Sequence, residues 1–187
     1  MNRLLALALA LSAFAISCGG TGSEPTGGGG TTTTYAFPIL PANENPPVTN
    51  GDRGIDGKVT IKITAVKDGN TVKSATAEFE ISGNGFPAGT TITGGHIHSG
   101  GSAVNSGIYF NPSITSSDMP IVNGTGSVKK SGLTIPADVA QAILGNPSAY
   151  YFNLHTALNT DGAARGQLAT GGSSTDPGAG GGVVYPY

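Results

Sequence analysis

With 187 residues, 31 of them glycine and only 11% charged, the chain has room for one folded domain flanked by glycine-rich linkers. A net charge of −2, with no basic run beyond Lys129-Lys130, argues against a nucleic-acid-binding surface. The lone Cys18 excludes an internal disulfide, and no cysteine follows it to serve thiol catalysis.

Arg3 precedes an apolar run, Leu4 to Ile16, that only Ser12 interrupts. The run is too short for a mature membrane span and fits the core of a signal peptide, expected over residues 1–17. It ends in Ala15-Ile16-Ser17-Cys18-Gly19-Gly20, which resembles the lipobox of bacterial lipoproteins, with Ala15 in the place that leucine usually holds. The resemblance implies acylation of Cys18. Each buried methylene contributes about 0.8 kcal/mol, so more than one acyl chain makes the anchor stable. By resemblance to Gram-negative lipoproteins, Gly20 in place of an aspartate implies outer-membrane sorting rather than inner-membrane retention. The expected location is therefore the cell envelope. The membrane is one expected partner, through the lipid, and an unidentified protein or envelope component is the other.

Residues 18–34 carry almost nothing to bury and are expected to form a Gly/Thr-rich tether with a reach on the order of 20–25 Å. The folded body is expected from Tyr35, with Ala36 to Leu40 as a first strand that Pro38 confines to an edge or a strand start. Pro41 to Pro47 is a loop. Lys58 to Ala65 alternates apolar and polar residues with period two, which predicts a half-buried antiparallel strand. Asp68-Gly69-Asn70 supplies a turn, and Thr71 to Ser82 the return strand. Ala75, Ala77, Phe79 and Ile81 face the core, while Glu78 and Glu80 face water within reach of Lys62 and Lys58. Shorter strands are expected over Ile92 to His98, Gly107 to Asn111, Ile121 to Lys130, Ala149 to Ala157 and Ala164 to Ala169. One helix is expected between Thr134 and Gly145, with Val139, Ala140, Ile143 and Leu144 on one face. Residues 170–187 read as a Gly-rich flexible tail. The fold class is all-β, an antiparallel β-sandwich or small barrel with one short helix.

All three histidines fall in two of these strands. His96 and His98 flank Ile97, so both imidazoles share one face of a strand, with α-carbons about 6.6 Å apart. His155 shares a face with Asn153 and Tyr151, opposite Phe152 and Leu154. If the two strands adjoin, three imidazoles meet on one patch and suit copper or zinc. The same alternation also fits a polar face whose rings simply hydrogen-bond their surroundings. No Gly-X-Ser-X-Gly elbow and no phosphate loop is present, and no catalytic set is expected. Glu44 and Arg165 are the charged members of two loop-like ends and are expected to pair as a structural clamp, the alternative being that both are simply solvated.

Four stretches carry a family resemblance. Asn43-Glu44-Asn45-Pro46-Pro47-Val48, Gly95-His96-Ile97-His98, Tyr151-Phe152-Asn153-Leu154-His155-Thr156 and Asp161-Gly162-Ala163-Ala164-Arg165-Gly166-Gln167-Leu168 occur in the order of the CHRD domain, named from chordin. Thr160-Asp161-Gly162-Ala163 departs mildly from the Pro-Gly-Gly usual before the final arginine segment. The resemblance spans about residues 36–169 and places the CHRD domain at 35–169. It implies an immunoglobulin-like sandwich and no established enzymatic activity. The His-X-His strand is also similar to that of copper–zinc superoxide dismutase, but that two-metal site needs more histidines than this chain has.

Overall fold

The computed structural model describes residues 29–168. The expected signal peptide, Cys18, most of the tether and the tail lie outside the described residues. Eight strands and one helix follow in the order β1 (Thr31–Ile39), β2 (Asp56–Asp68), β3 (Thr71–Asn84), β4 (Ile92–Ser99), β5 (Ile108–Phe110), β6 (Gly126–Ile135), α1 (Ala137–Gly145), β7 (Tyr150–Thr156) and β8 (Ala164–Gln167). They form two four-stranded antiparallel sheets, ordered β1-β2-β3-β6 and β5-β4-β7-β8. The all-β sandwich with one short helix is borne out.

Period-two alternation produces this arrangement. In β2, Val59, Ile61, Ile63 and Ala65 point inward while Lys58, Thr60, Lys62 and Thr64 point out. The inward set of β3, Ala75, Ala77, Phe79 and Ile81, lies directly beside it. Phe152 of β7 meets Phe79 of β3 with ring centroids 6.3 Å apart, so the two sheets share one core. On the outer face, Lys62 Nζ donates to Glu78 at 2.9 Å, as the alternation suggests. Glu80 does not pair with Lys58. That lysine sits across from Ser82, and Glu80 instead accepts from Lys129 of β6 at 2.7 Å. Lys130 is paired as well, to Asp118 at 2.8 Å.

The boundaries of β1 and β6 depart most from expectation. Strand β1 starts at Thr31 rather than near Tyr35, because the long β2 offers ladder partners for the β-branched threonines (Thr31 opposite Ala65, Thr34 opposite Lys62). The end of the expected tether is therefore strand. Strand β6 starts and ends later than expected, so Thr134 and Ile135 close a strand rather than open a helix. Pro136 ends the ladder, having no N–H to donate, and stands as the helix N-cap. Helix α1 packs against β3 with Ala140 and Ile143 buried, and Gln141 accepts a hydrogen bond from the Val72 N–H at 2.8 Å.

The second sheet is covered on both faces. Its inner face is core, and loops cross its outer face. Leu40 and Arg165 exchange backbone hydrogen bonds of 3.0 and 3.2 Å, which brings the segment after β1 onto this sheet. From there Asn45 Nδ2 donates to the Ala103 carbonyl, and Asp52 accepts from Thr156 Oγ1 at 2.6 Å. The polar face of β7 is consequently buried: Tyr151 is 2% exposed, Asn153 3% and His155 8%.

Candidate metal centre

Adjacent strands bring the histidines together. In the β4–β7 register Gly94 lies opposite His155, His96 opposite Asn153 and His98 opposite Tyr151, all on the loop-covered face. A bulge between Ile92 and Gly94 sets this phase. Ring centroids are 4.9 Å apart for His96–His155, 5.7 Å for His98–His155 and 5.8 Å for His96–His98. One nitrogen from each ring lies within 4.8 Å of the others. In a tetrahedral site with bonds of 2.0–2.1 Å, neighbouring nitrogens sit about 3.4 Å apart, so each would move by under about 1 Å to close on an ion.

The rings are already oriented. His98 Nδ1 lies 2.8 Å from the Ser106 carbonyl oxygen, and His155 Nδ1 lies 2.9 Å from that of Thr160. A carbonyl only accepts, so both Nδ1 atoms carry the proton and both Nε2 atoms present lone pairs. Those two Nε2 atoms and His96 Nδ1 are buried without a hydrogen-bond partner. A second ring nitrogen bonded to a backbone carbonyl is the usual outer support of a metal-ligating histidine. Burial, reinforced by the neighbouring rings His155 and His98, holds His96 down to about 4. Burial likewise lowers His155, although the Thr160 carbonyl opposes the shift. Both effects keep the lone pairs free of protons near neutral pH.

Gly94 makes room for this packing. A β-carbon there would stand 2.8 Å from Cε1 of the His96 ring. Gly94→Ala is expected to leave the metal-free fold intact, since a side-chain tip can swing away, but to lower copper affinity about tenfold or more, as a displaced ligand does. Competition titration against a chelator, beside a melting curve, checks both parts.

Glu44, 8% exposed and with Oε1 unpartnered, lies beside Asn153. Burial raises its carboxyl to about 7 against the opposing pull of the Arg165 charge and the Asn153 amide. Asn153 Oδ1 is also unpartnered, and both oxygens lie 2.8 Å from the point where a β-carbon on Gly162 would stand. Gly162, at φ +145°, tolerates no side chain there. Of the expected Glu44–Arg165 pair, the two side chains line one cleft and interact through charge, and no ion pair joins them among the described residues. The Arg165 guanidinium is turned instead to the Gly101 and Val104 carbonyls (2.7 and 3.0 Å) and to Asn105 Oδ1 (3.2 Å).

Sequence reading missed the supporting groups. Ser106 and Thr160 act through backbone carbonyls, which no side-chain pattern reveals. Asp52 is 1% exposed and accepts from Thr156 Oγ1 and Asn159 Nδ2, both at 2.6 Å, while Asn159 and Asn50 exchange amide hydrogen bonds of 2.8 and 3.1 Å. An isolated acid in a Gly-Asp-Arg-Gly loop carries no such signal.

The family model for the CHRD domain matches residues 35–168. The chain belongs to the CHRD family. No curated protein and no solved structure matches it. The CHRD match opens at Tyr35, the first buried residue of β1, and closes at the fully buried Leu168. Its four recognisable stretches lie apart in sequence, yet in this CHRD domain they meet on one face of the second sheet. The Asn43–Val48 stretch supplies Glu44, β4 supplies His96 and His98, β7 supplies His155, and β8 supplies Arg165.

Proposed function

We propose that this CHRD domain is a non-enzymatic, lipid-anchored binding module of the cell envelope, and that its ligand is a copper or zinc ion held by His96, His98 and His155. One observation carries the metal reading: three buried ring nitrogens, each without a hydrogen-bond partner, on three rings packed together. A buried polar group left unpaired costs about 1–3 kcal/mol. A single cation would satisfy all three lone pairs. Neutral imidazoles select zinc or copper over calcium or magnesium, which take oxygen ligands. Three protein ligands leave one position of a tetrahedral ion for water or a small exogenous group. The anchoring part rests on the lipobox around Cys18 and the glycine-rich segment after it.

Calorimetric titration of the metal-free protein tests the reading. Copper or zinc is expected to bind one ion per chain, with protection from thermal unfolding. Absence of binding by both metals ends it.

A further inference from the structure

Arg165 is 1% exposed, and no carboxylate lies within ion-pair distance of it among the described residues. An ion taken out of water without a close counter-ion carries a penalty of several kcal/mol, so its contacts must matter to the structure around it. The guanidinium's hydrogen bonds and its ring contact lead to His98. Three guanidinium hydrogen bonds hold the loop after β4, through Gly101, Val104 and Asn105. The next residue of that loop is Ser106, whose carbonyl accepts the hydrogen bond from His98 Nδ1–H. The guanidinium carbon also stands 3.4 Å from the centre of the Tyr151 ring. That ring stacks on His98 with centroids 5.0 Å apart and planes 9° from parallel, and the Tyr151 hydroxyl accepts the Ser106 N–H at 3.2 Å. Arg165 thus braces the acceptor of His98 from one side and its stacking partner from the other.

We infer that Arg165 is a positioning residue for the metal centre, fixing the tautomer and aim of His98 through the Gly101–Ser106 loop and the Tyr151 ring. This rests on the metal reading above for its consequence, but the tautomer is a property of the metal-free protein. Lysine cannot replace the planar fork, because its single ammonium has no fixed geometry to span three loop acceptors.

Two measurements on wild type, Arg165→Lys, Tyr151→Phe and Asn105→Ala test it. Nitrogen-15 NMR of the metal-free protein reports the His98 tautomer, and competition titration with copper(II), with its EPR spectrum, reports the site. Wild type is expected to show His98 protonated at Nδ1. Arg165→Lys is expected to show mixed tautomers, about tenfold or greater loss of copper affinity and an altered EPR spectrum. Tyr151→Phe and Asn105→Ala should move the same readouts in the same direction by less. A folded Arg165→Lys with wild-type tautomer, affinity and spectrum overturns the inference. If Arg165→Lys does not fold, wild-type values in both Tyr151→Phe and Asn105→Ala overturn it. If wild type binds no copper, the metal reading falls, and the tautomer still decides the role of Arg165.

Discussion

His155→Ala is expected to lower copper and zinc affinity by at least about 100-fold, equivalent to about 2.7 kcal/mol. Of the three rings it lies nearest to both others, with centroids 4.9 and 5.7 Å away, so its loss leaves two donors that no longer surround an ion. His98→Ala should behave alike, whereas Lys62→Ala on the other sheet should bind as wild type does. Thermal unfolding supplies an independent readout. A metal present at about 100 times its dissociation constant stabilises the native state by about 2.7 kcal/mol, and that protection should vanish in either histidine variant. Retained one-to-one binding with unchanged affinity in both variants would place the metal elsewhere. Acid should act late at His96. A proton and the ion compete for one lone pair, and His96 is held down to about 4, so protons displace metal from it only as the pH approaches that value.

Glu44→Gln should stabilise the metal-free protein at pH 8 and leave it unchanged near pH 4.5. The carboxyl is raised from 4.5 to about 7 on folding, chiefly by burial. The folded state therefore binds more protons than the unfolded chain between those values. The stability that Glu44 contributes is present below its unfolded value and lost as the pH rises through about 7. Glutamine cannot ionise, and its amide can donate to the unpartnered Asn153 oxygen. The expected gain at pH 8 is about 1–2 kcal/mol, discounting the full shift for the solvent that reaches the cleft. His96 runs the opposite way. Its contribution is present above the unfolded 6.5 and lost as the pH falls toward about 4, and it is common to both proteins, so their difference isolates Glu44. Denaturant unfolding at the two pH values measures it. An equal gain at both would show that packing, not ionisation, separates glutamate from glutamine.

Much of the first sheet was legible because its signal is local. One face of β2 and β3 is core and the other is solvent, so alternation and a Gly-containing turn specify both strands and their partner faces. The second sheet was less so. Its strands β7 and β8 are buried on both faces, and the polarity of Asn153, His155 and Arg165 reads as exposure in a sequence although all three are buried. The fate of Thr134 and Ile135 was hidden for a related reason, since strand and helix signals abut there and the ladder offered by β3 decides between them.

By itself, then, the order of residues determined an all-β domain with a single helix, the apolar identity of its core, and that His96 and His98 share a face, since each follows from the two-residue repeat of an extended chain. Only the tertiary structure decided that β7 lies beside β4 and that loops seal the outer face. It also decided that Ser106 and Thr160 turn their carbonyls to His98 and His155, and that Arg165 faces a loop rather than Glu44. Those outcomes depend on contacts between segments more than 50 residues apart and on backbone groups that are chemically the same at every position, and neither leaves a mark in local pattern.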